Sequence, residues 1–120
     1  MNEKTQANIL LAIKALLTLA FLAAGTAKLL GVQMLVDEFA LIGFGQWFRY
    51  VTGIIEIAGA VLLWVPGLTF VGAGLLTCTM IGACIAHISV LGVATMPPAI
   101  VLGILAAVTL FANRGQFQKV

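Results

Sequence analysis

Residues 54–64 read Ile54-Ile55-Glu56-Ile57-Ala58-Gly59-Ala60-Val61-Leu62-Leu63-Trp64, an apolar run interrupted by a single acid. The apolar character extends outward, from about Phe48 to Val65. A helix that crosses the ~30 Å hydrocarbon core of a bilayer needs about 20 such residues, with a range near 17–25. An ionisable group at that depth is costly and is usually kept for function. Glu56 is therefore the first candidate functional residue.

Three further apolar segments flank this one. They run from about Ala7 to Leu30, broken by Lys14 and Lys28, from about Leu68 to Leu91, and from about Pro97 to Ala112. The last is short, so it is expected either to extend past Ala112 or to sit in a thinned bilayer. Hydrophobic residues make up 62% of the chain and charged residues 8%, with a mean hydropathy of +1.19. Soluble domains are about a quarter charged. In lipid every backbone polar group must be satisfied internally, and this apolarity is too continuous for the alternation of a porin-like barrel. The reading predicts an all-α integral membrane four-helix bundle, one domain over residues 1–120. Its partner is the lipid bilayer, and no nucleic acid is expected. Lys4, the apolar run and Ala23-Ala24-Gly25-Thr26-Ala27 mimic a signal peptide; we read them as a retained first helix.

Lys4, Arg114 and Lys119 lie at the two ends of the chain, and Lys14 can snorkel toward the same side. Asp37 and Glu38 occupy the first loop, with Lys28 and Arg49 at its edges. The positive-inside rule then places both termini in the cytoplasm, as expected for a bacterial inner (plasma) membrane protein.

Pro66-Gly67 predicts a tight hairpin between the second and third helices, and Pro97-Pro98 suits the start of the fourth. Between Gly31 and Trp47, Met34, Leu35, Phe39 and Ile42 are interspersed with Asp37, Glu38 and Gln46. That pattern predicts a short amphipathic segment in the outer interface, ended by Gly43 and Gly45. Trp47, Phe48 and Tyr50 supply an interfacial aromatic belt. Gly53, Gly59, Gly72, Gly74 and Gly103 mark seams of close helix approach.

Arg49 and Glu56 are seven residues apart and share a helix face, with a rise of roughly 10 Å between them. Lys14, Thr18, Phe21, Gly25 and Lys28 form one stripe on the first helix, since steps of three and four return to the same face. Lys28 is then either a snorkelling anchor or the partner that compensates Glu56. His87, the only histidine, shares its face with Met80, Ala83 and Cys84. No neighbour at ligand spacing makes it a metal site; it is a structural histidine, a proton donor or a ligand-orienting group. Cys78 and Cys84 differ by about 9 Å in rise, whereas a disulfide needs Cα atoms within roughly 7 Å. Both are expected as small buried residues, with Cys84 beside His87 as the one that lines a pocket.

By their depth, these residues are expected to converge toward the outer half of the bundle. Glu56 and His87 are the candidate catalytic pair, and Lys28, Arg49, Trp47, Tyr50 and Cys84 are candidate ligand contacts. One acid against two cations predicts a net positive mouth, suited to a quinone carbonyl or a small oxyanion. No metal site is expected.

Phe21-Leu22-Ala23-Ala24-Gly25-Thr26-Ala27-Lys28-Leu29, then Gly53-Ile54-Ile55-Glu56-Ile57-Ala58-Gly59-Ala60, then Ala86-His87, resemble the DoxX-like family. The resemblance covers nearly the whole chain and implies a small four-helix membrane protein. The family's founding member is a subunit of a thiosulfate:quinone oxidoreductase, other members are linked to oxidative or thiol stress, and distant relatives act in membrane assembly. Lys28 and Glu56 match the family's polar positions. No haem, flavin or iron–sulfur motif is present, which argues against an independent redox enzyme and leaves the cofactor open, with quinone as the one candidate.

Three functions follow as expectations. The first is a quinone- or redox-associated membrane subunit or small oxidoreductase, in which Glu56 and His87 handle protons and Lys28 and Arg49 hold ligand oxygens. The second is a non-catalytic assembly factor docking a partner membrane or redox protein, or a second copy of itself. The third is a lipid-phase isomerase or hydrolase using Glu56 and His87 as acid and base.

Overall fold

The computed structural model describes residues 2–115. Its elements are α1 (Glu3–Leu30), α2 (Gln33–Ile42), α3 (Trp47–Leu62), α4 (Thr69–Ala86) and α5 (Pro97–Ala112), and no strand occurs among the described residues. The fold is all-α. Four long helices form the bundle and the short α2 lies across one end of it.

Local chemistry sets the boundaries. Asn2 caps α1 by accepting a hydrogen bond from the Thr5 backbone N–H at 2.8 Å. Gly31, at φ 76°, ends it in the left-handed conformation that glycine adopts without a Cβ penalty. The apolar run from Ala7 thus continues as one helix of 28 residues. Gly43 closes α2 in the same way, so the amphipathic segment expected between the first two long helices is a helix. Pro97 and Pro98 open α5 where their missing N–H groups cost nothing.

Two boundaries differ from the sequence reading. α3 ends at Leu62 instead of about Val65, and the connection to α4 is longer than Pro66-Gly67. Pro66 drives Val65 away from helical geometry, and the Thr69 hydroxyl donates to the Leu63 carbonyl at 3.0 Å, closing the turn. At the other end, α4 stops as an α-helix at Ala86 and continues as a π-helical turn over His87–Leu91. A short 3-10 turn, Val93–Thr95, then leads into α5. α5 ends at Ala112, where Asn113 donates to the Thr109 carbonyl. Lys119 lies outside the described residues.

In the bundle α3 packs between α1 and α4, and α5 packs against α4. Two glycine pairs permit this. A Cβ on Gly53 would stand 2.9 Å from the Gly25 carbonyl oxygen, and one on Gly25 would stand 2.8 Å from that of Gly53. Across the other side of α3, a Cβ on Gly72 would stand 2.7 Å from the Gly59 carbonyl oxygen. Each pair brings backbone against backbone, which is how helices gain dispersion energy where no hydrophobic drive separates them from lipid.

The buried core is small: Leu17, Phe21, Ala60, Leu63, Leu76 and Met80 are its main members. Around it the outer faces are apolar, with Leu19, Ile81, Ile104 and Phe111 all exposed. Exposed apolar side chains in such number mark a surface that meets lipid or another protein. Glu3–Leu30 and Thr69–Leu91 are long and apolar enough to cross a membrane, and Pro97–Ala112 is a shorter apolar helix.

Candidate functional site

The glycine seam at Gly59 and Gly72 holds α3 and α4 together at one end. Toward α2 their facing surfaces line a cleft of about 600 Å³. Phe39, Ile42 and Phe44 reach it from α2 and the segment beyond, and Val90 and Leu91 from the π-helical turn. Ligand pockets commonly run from about 300 to 1,000 Å³. Lys28, Glu56 and His87 all line this one cleft.

Glu56 is 1% exposed, and the Lys28 ammonium lies 2.7 Å from its Oε1. The approach is off the line of a hydrogen bond, since Glu56 Oε1 has no hydrogen-bond partner by geometry. The contact is therefore a close charge pair. Of the two roles the stripe on α1 allowed for Lys28, the ion pair is the one observed. Gly53 makes it reachable, because its missing side chain leaves the Lys28 stem room to pass.

Arg49 also faces α1, but not the cleft. It is 5% exposed; its Nη1 donates to the Lys28 carbonyl and its Nε donates to Gln46 Oε1 at 2.9 Å. The guanidinium thus caps an orphan carbonyl at the C-terminal end of α1. Lys28 is tied at both ends, its carbonyl to Arg49 and its ammonium to Glu56.

This alters the expected charge. The charged groups lining the cleft are Lys28, Glu38 and Glu56, so it carries more acid than base. The predicted net positive mouth assumed that Arg49 faced inward, whereas the α1 terminus claims it. Trp47 and Tyr50 are exposed and stand outside the lining. Tyr50 lies under the Arg49 guanidinium, 4.5 Å from carbon to ring centroid, and Trp47 packs on Phe48 at 5.8 Å. The aromatic wall is instead built by Phe39, Phe44 and Phe48, with centroid separations of 5.8 Å and 5.5 Å about Phe48.

The cysteines exchange roles. Cys84 packs against the buried core, while Cys78 is exposed and lines the cleft. Six residues of helix turn the two side chains well away from each other, and α4 is apolar on every side, so nothing in its pattern marked which face meets the core.

His87 stands where α4 widens into its π turn, a feature that often accompanies functional sites. Its Nδ1 is 3.2 Å from the Gly92 carbonyl oxygen and 3.1 Å from Thr95 Oγ1. A carbonyl has no proton to give, so we assign the ring proton to Nδ1. The neutral imidazole then offers Nε2 as an acceptor. Thr52 and Thr79 also line the cleft. Their hydroxyls donate to the carbonyls of Phe48 and Leu75, at 2.9 Å and 2.7 Å. No group of His, Cys, Asp and Glu among the described residues could hold a metal ion.

An all-α bundle with apolar outer faces, two helices of membrane-spanning length and a buried ion pair opening on a cleft fits the class of small helical membrane proteins. Residues 12–109 match the DoxX-like family, and the chain belongs to it. Neither the curated proteins nor the solved structures compared with it contain a match.

Proposed function

We infer that this DoxX-like membrane protein receives a quinone-type headgroup from the surrounding lipid into the cleft between α2, α3 and α4, and serves a redox assembly as its membrane-embedded subunit. The observation that carries the reading is the meeting of a buried ion pair and a histidine in one cleft whose other walls are apolar and aromatic. A buried pair kept only for packing is often no better than apolar side chains of similar volume. A pair presented to a ligand-sized cavity has a use that apolar side chains cannot supply. In this reading the ring lies against Phe39, Phe44 and Phe48, and its oxygens reach the Lys28–Glu56 pair and His87. The ligand's tail leaves past Val51 and Ile85, both exposed at the cleft. The chain contributes binding and proton-handling groups, and a partner protein supplies the electrons. We place it in a bacterial inner membrane, and the charge distribution supports both termini in the cytoplasm.

The test is ligand-dependent stabilisation in detergent micelles, using a fully substituted short-chain benzoquinone. Ligand at one hundred times its Kd stabilises the folded state by about 2.7 kcal/mol, read as a rise of several degrees in Tm. Loss of the rise in Glu56→Ala would place it at the cleft. An unchanged Tm at saturating ligand would remove the reading, and would favour the assembly-factor function if a membrane partner co-purified.

A further inference from the structure

We propose that the cleft is built to recognise a hydrogen-bond donor, so that it prefers a phenolic hydroxyl headgroup over the corresponding carbonyl or ether. On the quinone reading, on which this inference rests, the preferred ligand is the reduced hydroquinone. The juxtaposition behind it is a set of lining groups whose protons are already committed elsewhere. The Thr52 and Thr79 hydroxyls each donate to the carbonyl four residues back, leaving only oxygen lone pairs for a ligand. His87 commits Nδ1–H to Gly92, leaving Nε2 as an acceptor. Glu38 is a carboxylate, an acceptor when ionised.

Against these four acceptors stand few donors. The Lys28–Glu56 pair, 2.7 Å apart, offers a ligand both kinds of group, ammonium N–H and carboxylate oxygen, and tips the balance neither way. Ser89 is exposed, and Cys78 is a weak donor. The N–H groups of α3 and α4 are taken up inside their helices. A bare carbonyl headgroup would face mostly lone pairs, whereas a ring bearing two hydroxyls would bring the protons that the lining lacks. The Phe39–Phe44–Phe48 cluster favours a flat aromatic carrier for those hydroxyls. The acid excess of the cleft acts in the same direction, because it disfavours anions and electron-rich oxygens.

A site built to bond a hydroxyl penalises an analogue that lacks it, because the half-buried acceptors are cut off from water by the ligand and left unpaired. The expected preference is roughly tenfold or more, since stranding a buried polar group costs about 1–3 kcal/mol. By linkage, a tenfold preference for the reduced form raises the midpoint of the bound two-electron couple by about 30 mV.

The experiment measures Kd in micelles for two ligand pairs: the benzoquinone with its anaerobically maintained hydroquinone, and a long-chain 4-alkylphenol with its methyl ether. The second pair separates hydrogen bonding from redox chemistry. Tighter binding of both hydroxyl forms, roughly tenfold, is the expected result. Thr52→Val, which removes one acceptor at nearly constant shape, should narrow both ratios, and Thr52→Ser should restore them; melting curves verify that each variant is folded. Equal binding within each pair, or tighter binding of the quinone and the ether, would overturn the donor preference and leave the quinone-binding reading standing. Failure of all four compounds to bind would overturn both.

Discussion

Lys28→Met should lower the stability of the folded bundle by about 3–5 kcal/mol, the usual cost of removing one partner from a buried ion pair. Glu56 is 1% exposed and Lys28 is the cation beside it, so the substitution strands a carboxylate in an apolar environment. The methionine stem can follow the path of the lysine stem past Gly53, which keeps packing loss small. Removing both charges has a different outcome. Lys28→Met combined with Glu56→Leu should recover most of the lost stability, because apolar groups of similar volume often replace a buried pair at little cost. Thermal or denaturant unfolding of the two single variants and the double variant in micelles measures the coupling directly. Near-additivity of the single losses would mean that the pair is not an interacting unit. The double variant also separates folding from function, since a stable bundle without the pair should no longer bind ligand in the cleft.

Gly72→Val should cost about 1–3 kcal/mol or more, the range for forcing extra atoms into a well-packed interior. Its Cβ alone would meet the Gly59 carbonyl oxygen at 2.7 Å and the Leu63 backbone nitrogen at 2.9 Å. Both are backbone atoms, so α3 and α4 must separate for the side chain to fit. Because this seam holds the closed end of the cleft, separation should also weaken ligand binding. Gly74→Ala is the comparison. Its Cβ would meet only Leu110 Cδ1, at 3.7 Å, and replacing a mid-helix glycine by alanine gains about 0.5–1 kcal/mol. Equal melting temperatures for the two variants would show that the close approach at Gly59 and Gly72 is not a packing constraint.

What the sequence discloses and what it conceals follow from how local each cause is. The long helices are legible because an apolar run and its caps lie within one segment, as do Asn2, Gly31, Gly43 and Pro97-Pro98. The pairing of Lys28 with Glu56 is legible as one of two alternatives, since helical periodicity puts Lys28 on the bundle face and depth puts it near the acid. Arg49 is different. Its side chain is set by a carbonyl of α1 more than twenty positions earlier, exposed only because that helix ends at Gly31 beside it. No spacing rule within α3 carries that information. The cysteines fail for another reason: α4 is apolar all round, so its sequence does not distinguish core from cleft. His87 lies between the two cases: its depth near the end of the third apolar run puts it beside Lys28 and Glu56, whereas no local residue pattern announces the π turn that carries it.

On the proposed function, the space beside Cys78, between α3 and α4, is a ligand site entered from the bilayer. Cys78 is exposed in that space, while Cys84 packs against the core. Alkylation of the folded protein in micelles by a lipid-soluble maleimide, with each site quantified by mass spectrometry, tests it most directly. Cys78 should react faster than Cys84, and a saturating fully substituted hydroquinone should slow Cys78 roughly tenfold or more, as expected when a site is more than nine-tenths occupied. Unchanged Cys78 reactivity, in the presence of ligand shown to be bound by its thermal shift, would contradict the assignment of the site to this cleft.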